Sequence, residues 1–401
     1  MEYSFSDYTK GLRSSAVRDI LKLTQGKSII SLAGGLPAED YFPLEAVREA
    51  FDRVFREGGK GAMQYGLTEG YTPLREAICR RMATKNMEVK PEHMLLTTGS
   101  QQAIDLLVRV YLSPGDVVLV ENPTYLAALQ IFQASGVQVI GVEADSNGMK
   151  LDDLEAKLER CRPKLVYVTP TFANPTGKVW SLDRRAGLLR LCKPRNVLIL
   201  EDDPYGEIKF DSAADYPTIF SLDKHPEDCG VVYTSTFSKT VVPALRSGWV
   251  IGDSRVIGQM TRAKQAADLH SSAIDQQALY QLLTHFDLDA HIGTIREEYR
   301  QRMMRMRELL LAPRFADLRW EEPRGGMFFW VELPEGIRSG ELLKLAVQEG
   351  VAFVPGTDFY AEHPQLNRMR LNFTHTAPEL MGVAMDRLAA ALETYKAQAA
   401  L

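Results

Sequence analysis

Short apolar runs, each closed by polar residues or by Gly and Pro, recur along the first 255 residues: "HMLLTTGS", "DVVLVENPTY", "KLVYVTPTF", "NVLILEDDPY", "GVVYTSTFSK" and "SGWVIGD". Strands without polar alternation are buried on both faces, which is the pattern of a mainly parallel sheet covered by helices on either side. Helical segments lie between the runs. In "SQQAIDLLVRVYL", Ile104, Leu107, Val108 and Tyr111 share one face at helical spacing, so the unit reads as strand, turn, helix. After about residue 255 the texture shifts to long charged helices such as "IREEYRQRMMRMRELLLA", followed by "GGMFFWVELP", "VAFVPG" and "NRMRLNFTH". That shift predicts a second, smaller α+β domain, with the first forty-odd residues as an arm able to fold onto either part.

Composition narrows the function classes. The chain has 401 residues, 45% hydrophobic and 25% charged, which excludes intrinsic disorder and allows two domains with substantial cores. A net charge of -5 with interspersed signs offers no nucleic-acid or anionic-membrane surface, so neither partner is expected. The four cysteines contain no C-x-x-C pair and the seven histidines no H-E-x-x-H, so no metal and no disulfide is expected. The start lacks a basic stretch followed by an apolar run, and no segment approaches the roughly 20 apolar residues of a membrane span. The expectation is a reduced, cytoplasmic compartment.

Ligands of open α/β sheets bind beyond the carboxyl ends of the strands, and the residues there form one chemical set. Ser100 and Gln101 follow "MLLTTG" at a helix start, where free N–H groups favour an anion. Tyr125 follows "VVLVE", Asn174 stands in "NPTG", and Asp202 and Tyr205 follow "VLILE". Thr236, Ser238 and Lys239 close "VVYTSTFSK", with Arg246 seven residues on; hydroxyls and an arginine suit a phosphate dianion. Taken singly, each has a plainer reading: Ser100 caps a helix, "NPTG" makes a turn, and tyrosines pack at domain edges. Asp202 and Asp203 repel one another, so a cation is expected near one of them. One ligand uses the whole set, an aromatic aldehyde with a ring nitrogen, a phenolic oxygen and a phosphate: pyridoxal 5'-phosphate. Lys239 would condense with the aldehyde and Asp202 would hold the ring nitrogen protonated. Asn174 and Tyr205 would bind the phenolic oxygen, Tyr125 would stack, and Ser100, Gln101, Thr236, Ser238 and Arg246 would hold the phosphate.

Through "SLAGGLP", "QYGLTEGY", "TTGSQQA", "NPTG", "DDPY", "TFSK", "GGMFFW", "FVPG" and "MRLNF" the chain resembles the fold-type-I pyridoxal-phosphate enzymes, and among them the class I/II aminotransferases, in the group with 2-aminoadipate and kynurenine aminotransferases. Thr236 stands where that family usually has serine, which keeps the hydroxyl. The resemblance implies a large domain over 45–290 built on a mainly parallel seven-stranded sheet, a small α+β domain over 291–401, and an arm over 1–44 joining the small one. It implies a homodimer in which Tyr65 reaches the phosphate in the neighbouring subunit. Arg370 would grip the substrate α-carboxylate with help from Asn174, Gly35 of "LAGGLP" would line the substrate site, and Arg18 would meet the distal carboxylate of acidic substrates. Lys239 and Asp202 would be catalytic, with Tyr205.

The activity so implied is transfer of an amino group between an L-amino acid (2-aminoadipate, glutamate, aromatic or branched aliphatic) and a 2-oxo acid such as 2-oxoglutarate, in two half-reactions. The alternatives are a lyase or decarboxylase on the same scaffold, since the cofactor stabilises every carbanion beside it, and an effector-sensing module of a transcription regulator. The module would need a basic DNA-binding domain upstream that residues 1–13 cannot supply.

Overall fold

A computed structural model of the chain describes residues 1–12, 20, 28–223 and 225–399. Across the central seven-stranded sheet the order is Met94–Thr97, Gly248–Ile251, Val231–Thr236, Leu198–Asp202, Leu165–Val168, Val117–Glu121 and Gln138–Val142. Every strand runs the same way except Gly248–Ile251, which is antiparallel to both of its neighbours. Alternate side chains feed two cores: Leu119, Val166, Val168 and Ile199 enter one, Val118, Val120, Leu165 and Leu200 the other. The helix Ser100–Tyr111 buries Ile104, Leu107 and Val108 in the second core, as its spacing predicts, with Tyr111 packed against the edge.

Connections around this sheet set where the polar residues emerge. Gly99 has φ of 78° and starts the helix directly after the first strand. A Cβ on Gly248 would lie 2.7 Å from the Gly99 carbonyl carbon, so the antiparallel strand passes the turn only because Gly248 lacks a side chain, and a Cβ on Gly99 would lie 2.6 Å from the Arg246 guanidinium. Because Gly248–Ile251 runs backwards, Arg246 just before it lies at the same edge as the residues that follow the parallel strands.

A four-stranded antiparallel sheet, in the order Arg319–Trp320, Phe328–Glu332, Arg368–Asn372 and Val354–Pro355, packs with the helices Leu288–Leu310, Ser339–Glu349 and Pro378–Ala399 around a third core. The early chain joins this layer: Ile30 and Ser31 pair in parallel with Val351 and Ala352, and the Asn372 N–H donates to the Leu32 carbonyl. The segment 33–35 is thereby carried to the edge of the central sheet. The four cysteines are unpaired. Among the described residues no cluster of His, Cys, Asp and Glu could hold a metal, and no helix is long and apolar enough to cross a membrane.

Candidate active site

A cavity of about 720 Å³ opens at the carboxyl edge of the central sheet, against the small sheet. Its wall brings together Gly35, Ser100, Gln101, Tyr125, Asn174, Asp202, Tyr205, Thr236, Ser238, Lys239, Arg246 and Arg370. Two predicted residues are not among them. Tyr65 is 79% exposed, its ring edge against His270, and does not line the cavity of its own chain. Arg18 lies outside the described residues.

Lys239 closes the short turn Phe237–Lys239 that follows Val231–Thr236. The turn is capped by Thr236, whose Oγ1 accepts the Ser238 N–H at 3.1 Å, so threonine does here what serine would do. Lys239 Nζ donates to the Gly35 carbonyl at 2.8 Å. Burial, with the positive charges of Arg370 and Arg246, lowers its pKa to about 8. A lysine in that range can hold or release a proton near neutrality.

Asp202 is 1% exposed. Its Oδ2 accepts the Tyr167 hydroxyl at 2.8 Å, while Oδ1 is buried without a partner among the described residues. Burial raises its pKa to about 7 against the opposing Tyr167 hydrogen bond, so a cation at the open oxygen would restore the carboxylate. Asp203 turns to the opposite face, where it accepts the Tyr233 hydroxyl at 2.9 Å and has Lys85 at 3.8 Å. The cation expected beside the paired carboxylates is Lys85.

Arg370, 2% exposed, projects from the strand Arg368–Asn372. One terminal nitrogen donates to Asn174 Oδ1 at 2.6 Å and the other to the Ala33 carbonyl at 2.7 Å, while Nε has no partner. The guanidinium carbon lies 4.3 Å from the Phe328 ring centre and 5.2 Å from that of Phe359. Burial lowers its pKa to about 10, which leaves it cationic at neutral pH. No carboxylate among the described residues pairs with it. Arg368, two residues back on the same face of the strand, sits opposite Glu332 in the register and pairs with it at 2.9 Å.

At the other end of the cavity Arg246 adopts φ of 48° and directs its guanidinium to Ser238 Oγ and the Thr98 carbonyl, each at 3.4 Å. The facing helix Ser100–Tyr111 has no side-chain cap, so its first-turn N–H groups join Arg246 and the Thr236 and Ser238 hydroxyls as an anion cradle. Between the ends stand Tyr125 and Tyr205, both with burial-raised pKa values, that of Tyr125 to about 12.

The donor set fits pyridoxal 5'-phosphate: a phosphate cradle at one end, a buried carboxyl oxygen without a partner in the middle, and a lysine of lowered pKa within reach. Three contributors were not singled out from the sequence. Tyr167 opposes Leu200 in the neighbouring strand, so its hydroxyl meets Asp202 only once the register is known. It is the one polar tip in the apolar run "LVYV", and that is the signal that could have found it. Phe328 and Phe359 pack on the Arg370 guanidinium from segments quoted above for other reasons, or not at all.

A doubly covered, mainly parallel sheet with this constellation at its carboxyl edge defines a fold-type-I pyridoxal-phosphate enzyme. The chain belongs to the class I and II aminotransferase family, whose profile matches residues 27–388. The aromatic-amino-acid aminotransferase 1 of Thermococcus litoralis is 38% identical over 394 residues, which are 97% of this chain and 94% of the relative. The 2-aminoadipate transaminase of Thermus thermophilus is 38% identical over 382 residues, 95% of this chain and 94% of its own. Among solved structures, Pyrococcus horikoshii kynurenine aminotransferase in complex with PMP superposes with a TM-score of 0.91 at 40% identity, covering 98% of this chain and 97% of that one. The chain is an aminotransferase and pyridoxal phosphate is its cofactor.

Proposed function

We propose that the enzyme moves an amino group from an L-amino acid (2-aminoadipate, glutamate, or an aromatic or branched aliphatic one) to a 2-oxo acid such as 2-oxoglutarate, in two half-reactions at one site. The observation that carries this reading is Arg370: a buried guanidinium with no carboxylate partner among the described residues, in the same cavity as Lys239. Buried charges are ordinarily paired, and a substrate α-carboxylate supplies the missing partner. Asn174 and the Ala33 carbonyl orient the fork, and Phe328 and Phe359 keep water from it.

The cofactor, when bound, supplies an electron sink for negative charge at the substrate α-carbon. Ser100, Gln101, Thr236, Ser238 and Arg246 bind its phosphate, Asp202 its ring nitrogen, Asn174 and Tyr205 its phenolic oxygen, and Tyr125 packs on its ring. Lys239 anchors it and, when freed, takes the proton from the substrate α-carbon; an amine whose pKa is close to the working pH suits both directions of transfer. We place the distal carboxylate of acidic substrates on Arg18. The exposure of Tyr65 supports its service to the site of a second subunit in a homodimer. The pairing of residues 30 and 31 with 351 and 352 supports an arm of 1–44 attached to the small domain of 291–401, beside a large domain of 45–290. With no membrane-crossing helix among the described residues, we assign the enzyme to the cytoplasm.

The test is a panel of amino donors assayed with 2-oxoglutarate, measuring glutamate and the new 2-oxo acid together. One glutamate per 2-oxo acid formed is expected. Sustained turnover without an acceptor, with release of ammonia or carbon dioxide, would establish the lyase or decarboxylase instead.

A further inference from the structure

Lys264, on the helix Ser254–Asp268, has a side chain that is 0% exposed and does not line the cavity. Its Nζ donates to Gln102 Oε1 at 2.7 Å and lies 3.0 and 2.9 Å from the two oxygens of Asp268. Gln102 Nε2 donates to Asp268 Oδ2 at 2.7 Å, and Gln102 Oε1 also accepts the Thr98 N–H at 2.8 Å. The amide is therefore held in one orientation by the ion pair behind it and presents its oxygen to the backbone in front.

What that oxygen holds is the turn leading into the anion cradle. Thr98 is fixed by Gln102 at its N–H and by Ser271 at its hydroxyl, 2.9 Å away, while its carbonyl accepts from Arg246. The Gly99 carbonyl is fixed by Thr97 Oγ1 at 2.9 Å. Gly99, with φ of 78°, has the widest conformational choice of any residue there, and its conformation aims the first-turn N–H groups of Ser100–Tyr111. Burying an ammonium is costly and an apolar side chain would commonly pack as well or better, so the charge is explained by the geometry it enforces.

We propose that Lys264 is a positioning residue for cofactor binding: through Gln102 it locks the Thr98–Gly99 turn so that the helix N–H groups and Arg246 converge on the cofactor phosphate. This rests on the reading that the cradle of Ser100, Gln101, Ser238 and Arg246 holds that phosphate. Lys264 touches neither cofactor nor substrate, and its effect is confined to the phosphate end.

The test uses the whole chain, freed of cofactor and dialysed to equilibrium against pyridoxal 5'-phosphate or against pyridoxal, which lacks the phosphate. In Lys264→Met the affinity for pyridoxal 5'-phosphate is expected to fall about tenfold, the scale of one hydrogen bond to a charged group. Affinity for pyridoxal should stay within about twofold, because only the phosphate end is misaligned. Gln102→Met, which removes the relay and leaves the ion pair in place, should show the same selective loss, and it decides the matter if Lys264→Met does not fold. Equal losses for both ligands, or no loss for either, would overturn the proposal. Arg246→Ala, run in parallel, tests the cradle itself: if it keeps the wild-type preference for the phosphorylated ligand, the underlying reading fails rather than the lock.

Discussion

Tyr167 and Asp202, on adjacent strands, share a hydrogen bond of 2.8 Å inside the sheet, and it leaves the other Asp202 oxygen facing the cavity alone. In the proposed reading the pair divides one carboxyl group between a protein partner and the cofactor ring nitrogen. Removing the phenol in Tyr167→Phe takes away the one contact that counters burial and raises the Asp202 pKa further. Proton transfer in a single half-reaction should slow about tenfold, the worth of a hydrogen bond to a charged group. Asp202→Asn should slow it more, because the charge itself is gone. A rate in Tyr167→Phe equal to wild type, measured by stopped-flow at saturating substrate, would reduce Tyr167 to a packing residue.

Lys239 gives a stability prediction for the cofactor-free protein. Its folded pKa is about 8 against an ordinary 10.5. Between those values the unfolded chain keeps a proton that the folded chain has lost, so this group makes stability rise with pH across that window. Lys239→Met should therefore stabilise the protein most below pH 8, with the gain disappearing toward pH 10.5. Thermal melts of both proteins along a pH series measure the difference, and a gain that does not change with pH would show that the lysine is not desolvated.

The two proposed arginine clamps separate by substrate. Arg370→Lys keeps a charge but loses the planar fork, and should lower kcat/KM for every amino donor, by about a hundredfold, since each carries an α-carboxylate. Arg18→Ala should lower it only for glutamate and 2-aminoadipate, by about thirtyfold or more relative to leucine and phenylalanine. Half-reaction kinetics over these four donors read both. Equal losses on acidic and apolar donors in Arg18→Ala would remove it from the distal site.

Mixed subunits test the placement of Tyr65. If its hydroxyl serves the second subunit, a heterodimer of Tyr65→Phe and Lys239→Ala chains has one site with both defects and one intact site. Mixing two impaired proteins should then restore activity toward half of wild type per heterodimer. Were Tyr65 to act in its own subunit, every site would carry one defect and mixing would recover nothing.

Residues that follow a strand at the ligand edge were legible one by one, because an apolar run makes its own end visible: Asp202, Asn174 and Lys239 are all found that way. Arg370 and Gly35 came through likeness of motif, since nothing local distinguishes Arg370 from Arg368 until the pairing of Phe328–Glu332 with Arg368–Asn372 sets Arg368 opposite the carboxylate of Glu332 and Arg370 opposite Trp330, which offers none. The contacts of Tyr167 and Lys264 were not legible. Each acts through a contact set by register or helix packing, Tyr167 on Asp202 two residues beyond its paired Leu200 and Lys264 on Gln102 from 162 residues away. His270, to which the sequence lent no role, accepts the Gly66 N–H at 3.2 Å and stands beside Tyr65.

Arg246 stands seven positions after Lys239, just ahead of the one reversed strand, whereas Arg370 meets Asn174 across 196 positions. The half of the site proposed to grip a phosphate is thus closed by a short local loop, and the half proposed to grip a carboxylate by docking the chain's last hundred or so residues onto its first two hundred. Loosening of that docking is expected to cost substrate capture before cofactor retention, a difference that activity and cofactor release would read along a denaturant series. On that reading the cofactor is held at the edge of one sheet and the substrate carboxylate between two.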